Sequence, residues 1–269
     1  MTRGVVIFAF NNEQVDYLAL AAWSAARIHR HLDLPVTVIT DVTDAQRTAV
    51  FDQVVLTAPP QTQQTRYFYD YEVSAAWHNL NRSSVHDLSP YDHTLVLDAD
   101  YVVASDQLKL LFDIDQDFLS HTHAHEVTGY PPFVDNNWFG VYRMPMSWAT
   151  VMCFRKSRTS KLIFDAMQMI RDHWDHYRQL YYISESTYRN DHALSIAMNT
   201  VDGHSLSTPS IPWSLSTVTS KTILTQLAPD TYRVDYCNPD DRPGWIILDQ
   251  QDFHAMGKRS LGAIVANTR

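Results

Sequence analysis

The run Thr94-Leu95-Val96-Leu97 ends in Asp98-Ala99-Asp100, so an almost wholly apolar segment stops abruptly at two carboxylates one residue apart. Entered through the turn-like Ser89-Pro90-Tyr91-Asp92, it reads as a strand buried on both faces. Such a strand belongs inside an open α/β sheet, whose ligands sit beyond the carboxyl ends of the strands. Aspartate is a hard oxygen donor suited to Mg²⁺ or Mn²⁺, and a cation held by one or two carboxylates completes its shell with water and substrate phosphates. A nucleoside diphosphate is the natural partner. The bare D-x-D pattern recurs at Asp113/Asp115 and Asp115/Asp117, but Phe118 stands where a calcium loop needs a sharply turning glycine. Those copies read as a solvated turn.

Upstream of the run, strand and helix signals alternate, as in a parallel α/β sheet. Residues 4–10 read as the first strand, and 13–32 as an amphipathic helix with Val15, Leu18, Ala22, Ala26 and Ile28 on one face. A second strand follows at 35–40, a short helix at 44–51, a third strand at 54–57 and a helix at 71–87. Beyond Asp100 the pattern is mixed: a short helix at 107–112, strands at 118–122, 148–154 and 245–248, and helices at 160–177 and 188–199. Residues 129–145, rich in Pro, Asn and aromatics, suggest a loop shaping a cleft. There is no repeat or linker, so one domain over 1–269 is expected: a nucleotide-binding half (1–100) and a half that completes the metal site and meets the acceptor (101–269).

Composition narrows the function classes. With 269 residues and 45% hydrophobic content the chain can bury a substantial core. A net charge of −9 argues against nonspecific coating of nucleic acid. The densest basic strip is Arg155, Lys156, Arg158 and Lys161, ordinarily a solvated face. Only seven glycines are present, with no G-x-G-x-x-G or Walker loop. The apolar run 5–10 is too short for a signal peptide, and no stretch is long enough for a membrane span. Cys153 and Cys237 read as thiols in a reducing compartment, so a cytoplasmic setting is expected.

On Phe8-Ala9-Phe10-Asn11-Asn12, Ser89 to Asp100, Asn190-Asp191-His192-Ala193-Leu194 and His254-Ala255-Met256-Gly257-Lys258, the chain resembles the metal-dependent nucleotide-sugar glycosyltransferases of the GT-A fold, especially the glycogenin-like and galactosyltransferase-like retaining group. The resemblance implies a Rossmann-like, mainly parallel central sheet flanked by helices, with a mixed C-terminal half. It further implies that Ala9, Asn11 and Asn12 meet the nucleotide base and that Tyr17 lies on uracil. Arg82 stands at the spacing where the family has a lysine contacting the donor. Asp98, Asp100 and His254 would hold Mn²⁺ or Mg²⁺, with Asp98 and Ala99 also meeting the donor. Asn190 and Asp191 would lie near the anomeric carbon, and Gly257 and Lys258 near the diphosphate. The lysine follows Gly257 directly, where the family has it three residues after the glycine. Retention of anomeric configuration and a hexosyl or pentosyl transfer from a UDP-sugar follow from the resemblance alone.

Pro90 to Asp100, Pro145 to Thr150 and Asn190 to Ala197 also resemble glycosyltransferases encoded by large tailed bacteriophages. That implies the cytoplasm of an infected host and, as acceptor, a hydroxymethylated base in phage DNA. The base would be flipped out and received by Tyr130, Phe133, Trp138 and Phe139, with the basic strip on the phosphates. Glycans and proteins compete as acceptors. Two other classes stay open: a nucleotidyltransferase, which usually carries a Gly-rich basic N-terminal loop absent from 8–13, and a noncatalytic nucleotide-sugar-binding protein.

Overall fold

The protein, seen in a computed structural model, is described at residues 1–59, 64–130, 137–205 and 209–268. Its central sheet has six strands in the spatial order Gln53–Leu56, Val36–Thr40, Arg3–Phe8, His93–Leu97, Trp148–Arg155 and Phe118–His121. The first four are mutually parallel. Only Trp148–Arg155 runs against its neighbours. Val5, Val6 and Ile7 pair in register with Leu95, Val96 and Leu97, and all six are essentially inaccessible to water. The α/β class with a mainly parallel central sheet, expected from the apolar runs, is therefore what the chain adopts.

Helix Tyr17–Leu32 makes the crossover from Arg3–Phe8 to Val36–Thr40. Asp16 caps its start by accepting the Ala19 N–H at 3.0 Å, and Asp33 ends it in the left-handed region at φ 51°. On the other side, helix Asn190–Val201 packs against Trp148–Arg155 and against helix Arg158–Asp172. The latter opens with a capping box between Ser157 and Ser160. A Cβ on Gly4 would overlap the Tyr91 ring, so only glycine lets that ring lie against the first strand.

The chain builds outward from Arg3–Phe8 and then returns to add His93–Leu97 on its other side. This reversal makes the gap beyond Phe8 and Leu97 a topological switch point, where open α/β sheets take their ligands. A second, four-stranded sheet starts there, in the order Tyr101–Val102, Phe253–Ala255, Leu215–Val218 and Ala124–Glu126. A third, antiparallel sheet comprises Ile223–Ala228, Thr231–Cys237 and Pro243–Asp249. One contiguous apolar core includes Val5, Leu95, Phe154, Phe253 and Leu261. No helix among the described residues is long and apolar enough to cross a membrane.

Several elements differ from the sequence expectation. The helix expected over 71–87 is a hairpin of Thr65–Phe68 and Val73–Ala76, followed by the 3₁₀ turn Arg82–Ser84 and the single helical turn Val85–Leu88. Glu72, at φ 55°, occupies the left-handed region at the tip of that hairpin, which a helix cannot accommodate. The helix expected over 44–51 shrinks to Ala45–Thr48. The one expected over 160–177 breaks at His173 into Arg158–Asp172 and Trp174–Leu180. Burying Trp174 edge-on to Tyr188, with its indole N–H donating to Ser186 O at 2.8 Å, redirects the chain. Of the third sheet, only the strand around 245–248 was expected. Cys153 is buried and Cys237 exposed, and both are free thiols.

Candidate functional site

Asp98 and Asp100 leave the end of His93–Leu97 in a tight turn closed by Tyr101 N–H donating to Asp98 O at 3.0 Å. The next strand, Tyr101–Val102, pairs antiparallel with Phe253–Ala255, and Ala255 N–H donates to Asp100 O at 3.0 Å. This backbone ladder sets His254 beside the two carboxylates. Its Nε2 lies 3.2 Å from Asp100 Oδ2 and 3.7 Å from Asp98 Oδ2. One potential ligand atom from each of the three residues falls within 4.8 Å of the others. Two carboxylate oxygens and an imidazole form a donor set that fits a divalent cation such as Mn²⁺ or Mg²⁺.

Cations of the chain itself balance the carboxylates. Lys258 Nζ bonds Asp100 Oδ2, and the Arg82 guanidinium pairs with Asp98 while donating to Ala149 O. Burial alone would raise the pKa of Asp100, but the charges of Lys258 and His254 outweigh it and hold the group far below the ordinary carboxylate range. Burial lowers the pKa of Lys258, and Asp100 beside it works the other way. Arg82, similarly buried, faces both Asp191 and Asp100.

These groups line one cavity of about 470 Å³ at the switch point. Asp191 is in its wall, in the first turn of helix Asn190–Val201. It accepts the Ala149 N–H at 2.9 Å and pairs with Arg189 at 3.0 Å. Burial works to raise its pKa, yet Arg189, that N–H and Arg82 bring it below the usual value. Asn190, also in the wall, donates to Asn79 O at 2.9 Å. The Asn79 side chain in turn clamps both backbone groups of Phe10 at 3.2 Å. The end of the first strand and the start of the helix are thereby tied together.

The cavity brings together Tyr17, Arg82, Asp98, Ala99, Asp100, Asn190, Asp191, His254 and Lys258 among the residues expected at a site. Ala9, Asn11, Asn12 and Gly257 are not in its lining. Ala9 is fully buried between strands. Asn11 accepts the Leu18 N–H at 2.9 Å, and Asn12 accepts those of Gln14 and Val15 at 2.9 and 2.8 Å, so both side chains brace the loop before the first helix. Gly257 precedes Lys258 as the cap of helix Lys258–Asn267. Tyr17 is 4% exposed and stands edge-on to Trp77, its ring centroid 6.1 Å away. Burial, and then the nearby Asp100, raise the pKa of its hydroxyl well above the usual value.

Sequence reasoning missed Arg66 and Trp77, which the hairpin brings to the cavity with the guanidinium 4.8 Å from the indole centroid. The β-branched and aromatic residues of Thr65-Arg66-Tyr67-Phe68 were the available signal for a strand there. Arg189 and Thr217 were also missed; Thr217 sits opposite His254 in the second sheet. The basic strip fares differently. Thr150 O meets Asp98 N–H, whereas Arg155 pairs with His93 at the other end of the same strand. At about 3.3 Å per residue, the strip lies roughly 15 Å or more from the carboxylates. Arg155 and Lys161 are moreover paired with Asp115 and Asp165, and Lys156 donates to Ser89 O. The strip, expected on the phosphates of a DNA acceptor, is thus remote from the carboxylates. Of the four aromatics expected to receive a base, Phe133 lies outside the described residues, Tyr130 stacks with Tyr236, and Trp138 and Phe139 line a neighbouring chamber.

No family model and no curated protein matches the chain. Among solved structures it is similar to the glycosyltransferase GlyE of Streptococcus pneumoniae TIGR4, with TM-score 0.45 and 14% identity over 79% of this chain and 46% of that one. The chain thus spans under half the length of that structure. It is also similar to the galactosyltransferase LgtC in complex with donor and acceptor sugar analogues, with TM-score 0.45 and 15% identity over 71% of this chain and 69% of that one.

Proposed function

We propose that the protein is a divalent-metal-dependent glycosyltransferase of the GT-A type that takes a sugar from a nucleoside-diphosphate sugar, a UDP-sugar by sequence resemblance. One observation carries the reading. Asp98, Asp100 and His254, from segments far apart in sequence, meet at the floor of a cavity at the sheet's switch point, with Arg82 and Lys258 beside them. A cation held by the three ligands would offset the charge of a departing diphosphate. Arg82 and Lys258 supply positive charge to the same end of the cavity, and Asp191 offers a carboxylate to the positive charge that develops on the sugar ring.

In the transfer, the bond from the anomeric carbon to the diphosphate oxygen breaks and one to the acceptor oxygen forms. The acceptor's proton leaves with the diphosphate in the front-face, retaining route that the family resemblance implies. Arg66 and Trp77, which line the same cavity, would meet the nucleotide. Because the basic strip lies at the far end of the sheet, it lends a DNA acceptor no support, and a glycan or protein hydroxyl becomes the acceptor of choice. The likeness to phage-encoded enzymes rests on sequence segments alone.

Thermal melting with nucleoside diphosphates tests the donor reading directly. UDP with Mn²⁺ should raise the melting temperature more than either alone, since a ligand of the native state stabilises it by mass action. In Asp100→Ala the Mn²⁺-dependent increment should vanish while the protein remains folded. An undiminished increment would remove Asp100 from the metal site.

A further inference from the structure

A second chamber of about 390 Å³ adjoins the donor cavity and shares with it the walls formed by Trp148, Glu185, Arg189 and Met256. Its own lining mixes aromatic and polar groups: Trp138, Phe139 and Tyr182, with His192 and Ser184 among them. Asp191 and His192 are consecutive in the first turn of helix Asn190–Val201, about 100° apart around its axis, so the first lines the cavity and the second the chamber. The helix start is the partition between the two.

His192 is only 5% exposed and is held between rings, stacked on Trp174 at 6.1 Å with Phe139 at 5.9 Å. Its Nδ1 is buried and has no partner among the described residues. A polar atom in that condition costs free energy, unless a small rotation of the ring brings it to a ligand or water in the chamber. Burial, then the charge of Arg189, lowers the imidazole pKa to about 4, so the ring is neutral near pH 7 and can both donate and accept.

The chamber's charge selects the ligand class. Arg189 is the only Lys or Arg among its described lining residues, and it is already paired with Asp191 at 3.0 Å. Glu185 adds a negative charge. A further cation, Arg143, is not among the lining residues; its guanidinium lies over the Trp138 ring, 5.6 Å from the centroid. A neutral ring with hydroxyls on its edge and C–H groups on its face suits aromatic walls with a few polar groups, in a volume ordinary for small-ligand sites.

We propose that this chamber is the acceptor subsite, that it takes an uncharged pyranoside against Trp138, and that His192 hydrogen-bonds one of the acceptor's hydroxyls. The inference rests on the donor reading given above, because it takes the shared wall as the place where donor and acceptor meet.

Saturation-transfer NMR tests it with the methyl pyranosides of glucose, galactose and mannose, in the presence of UDP and Mg²⁺. At least one pyranoside should receive saturation at its ring C–H protons. That signal should fall at least about fivefold in Trp138→Ala, the loss of roughly one aromatic contact, with the UDP signal unchanged. Trp138 is 40% exposed, so this variant folds irrespective of what His192→Leu does to the core. His192→Leu, checked by its melting curve, should lose the pyranoside signal likewise. Saturation of UDP without any pyranoside, or a pyranoside signal that survives in Trp138→Ala, overturns the acceptor proposal and leaves the donor reading standing. If UDP itself receives no saturation, the donor reading fails and this proposal falls with it.

Discussion

Arg82 acts in two directions from one buried position: it ties the 3₁₀ turn to the sheet through Ala149 O, and it pairs with Asp98 in the cavity. If the guanidinium also meets the donor, Arg82→Ala should lower the transfer rate at least about tenfold, equivalent to roughly 1.4 kcal/mol of lost transition-state binding. Arg82→Lys, which keeps the charge but loses the planar fork, should recover only part of it. Rates within about twofold of the parent in Arg82→Ala would confine this residue to a structural role. The carboxylates beside it were legible in the sequence because an apolar run ending in Asp98-Ala99-Asp100 has few interpretations. Arg66 and Trp77 were not, because their place depends on how a hairpin folds across the sheet.

At the level of elements, short-range signals succeeded where burial is one-sided or complete and failed where tertiary contacts set the shape. Arg3–Phe8, Val36–Thr40 and His93–Leu97 were readable from short, largely apolar runs, and Tyr17–Leu32 from its apolar spacing, although the expected start at 13 lies before the Asp16 cap. The hairpin of Thr65–Phe68 and Val73–Ala76 reads as helix in its second half because the sequence shows no Gly at the tip, where Glu72 adopts positive φ. That tip is fastened to the last helix, with Asp70 Oδ2 accepting the Arg259 N–H at 2.7 Å. The contact joins the element carrying Arg66 and Trp77 to the one carrying Lys258. Asp70→Ala should therefore accelerate limited proteolysis within the hairpin and weaken UDP binding several-fold, with little change in melting temperature. Unchanged cleavage kinetics would show that the tip needs no such anchor.

Across the whole molecule, buried titratable groups set how stability responds to acid. Burial lowers His93, His121 and His192 to about 4, while burial raises Glu126 to about 7. Between pH 6.5 and 4 the unfolded chain binds protons at the three imidazoles that the native chain does not, so stability falls as pH falls. Glu126 works oppositely, since the native chain holds its proton up to about pH 7 and stability falls as pH rises from 4.5 towards that value. Three groups outweigh one, because each tenfold difference in proton affinity between the native and unfolded chain is worth about 1.4 kcal/mol. Urea unfolding should give a lower midpoint at about pH 5 than at about pH 7. A midpoint that rises on acidification would show that these imidazoles are charged in the native state.

The ladder between Tyr101–Val102 and Phe253–Ala255 also has a consequence for biosynthesis. His254 joins Asp100 across a separation of 154 residues, and contacts that distant in sequence close late because the intervening chain must first be ordered. On the ribosome, most of the central sheet can pair while His254, the third ligand of the proposed metal site, is still unmade. If the three residues hold a cation as proposed, a nascent chain acquires that affinity only when Phe253–Ala255 docks, so its capacity to bind a cation reports that this strand is in place.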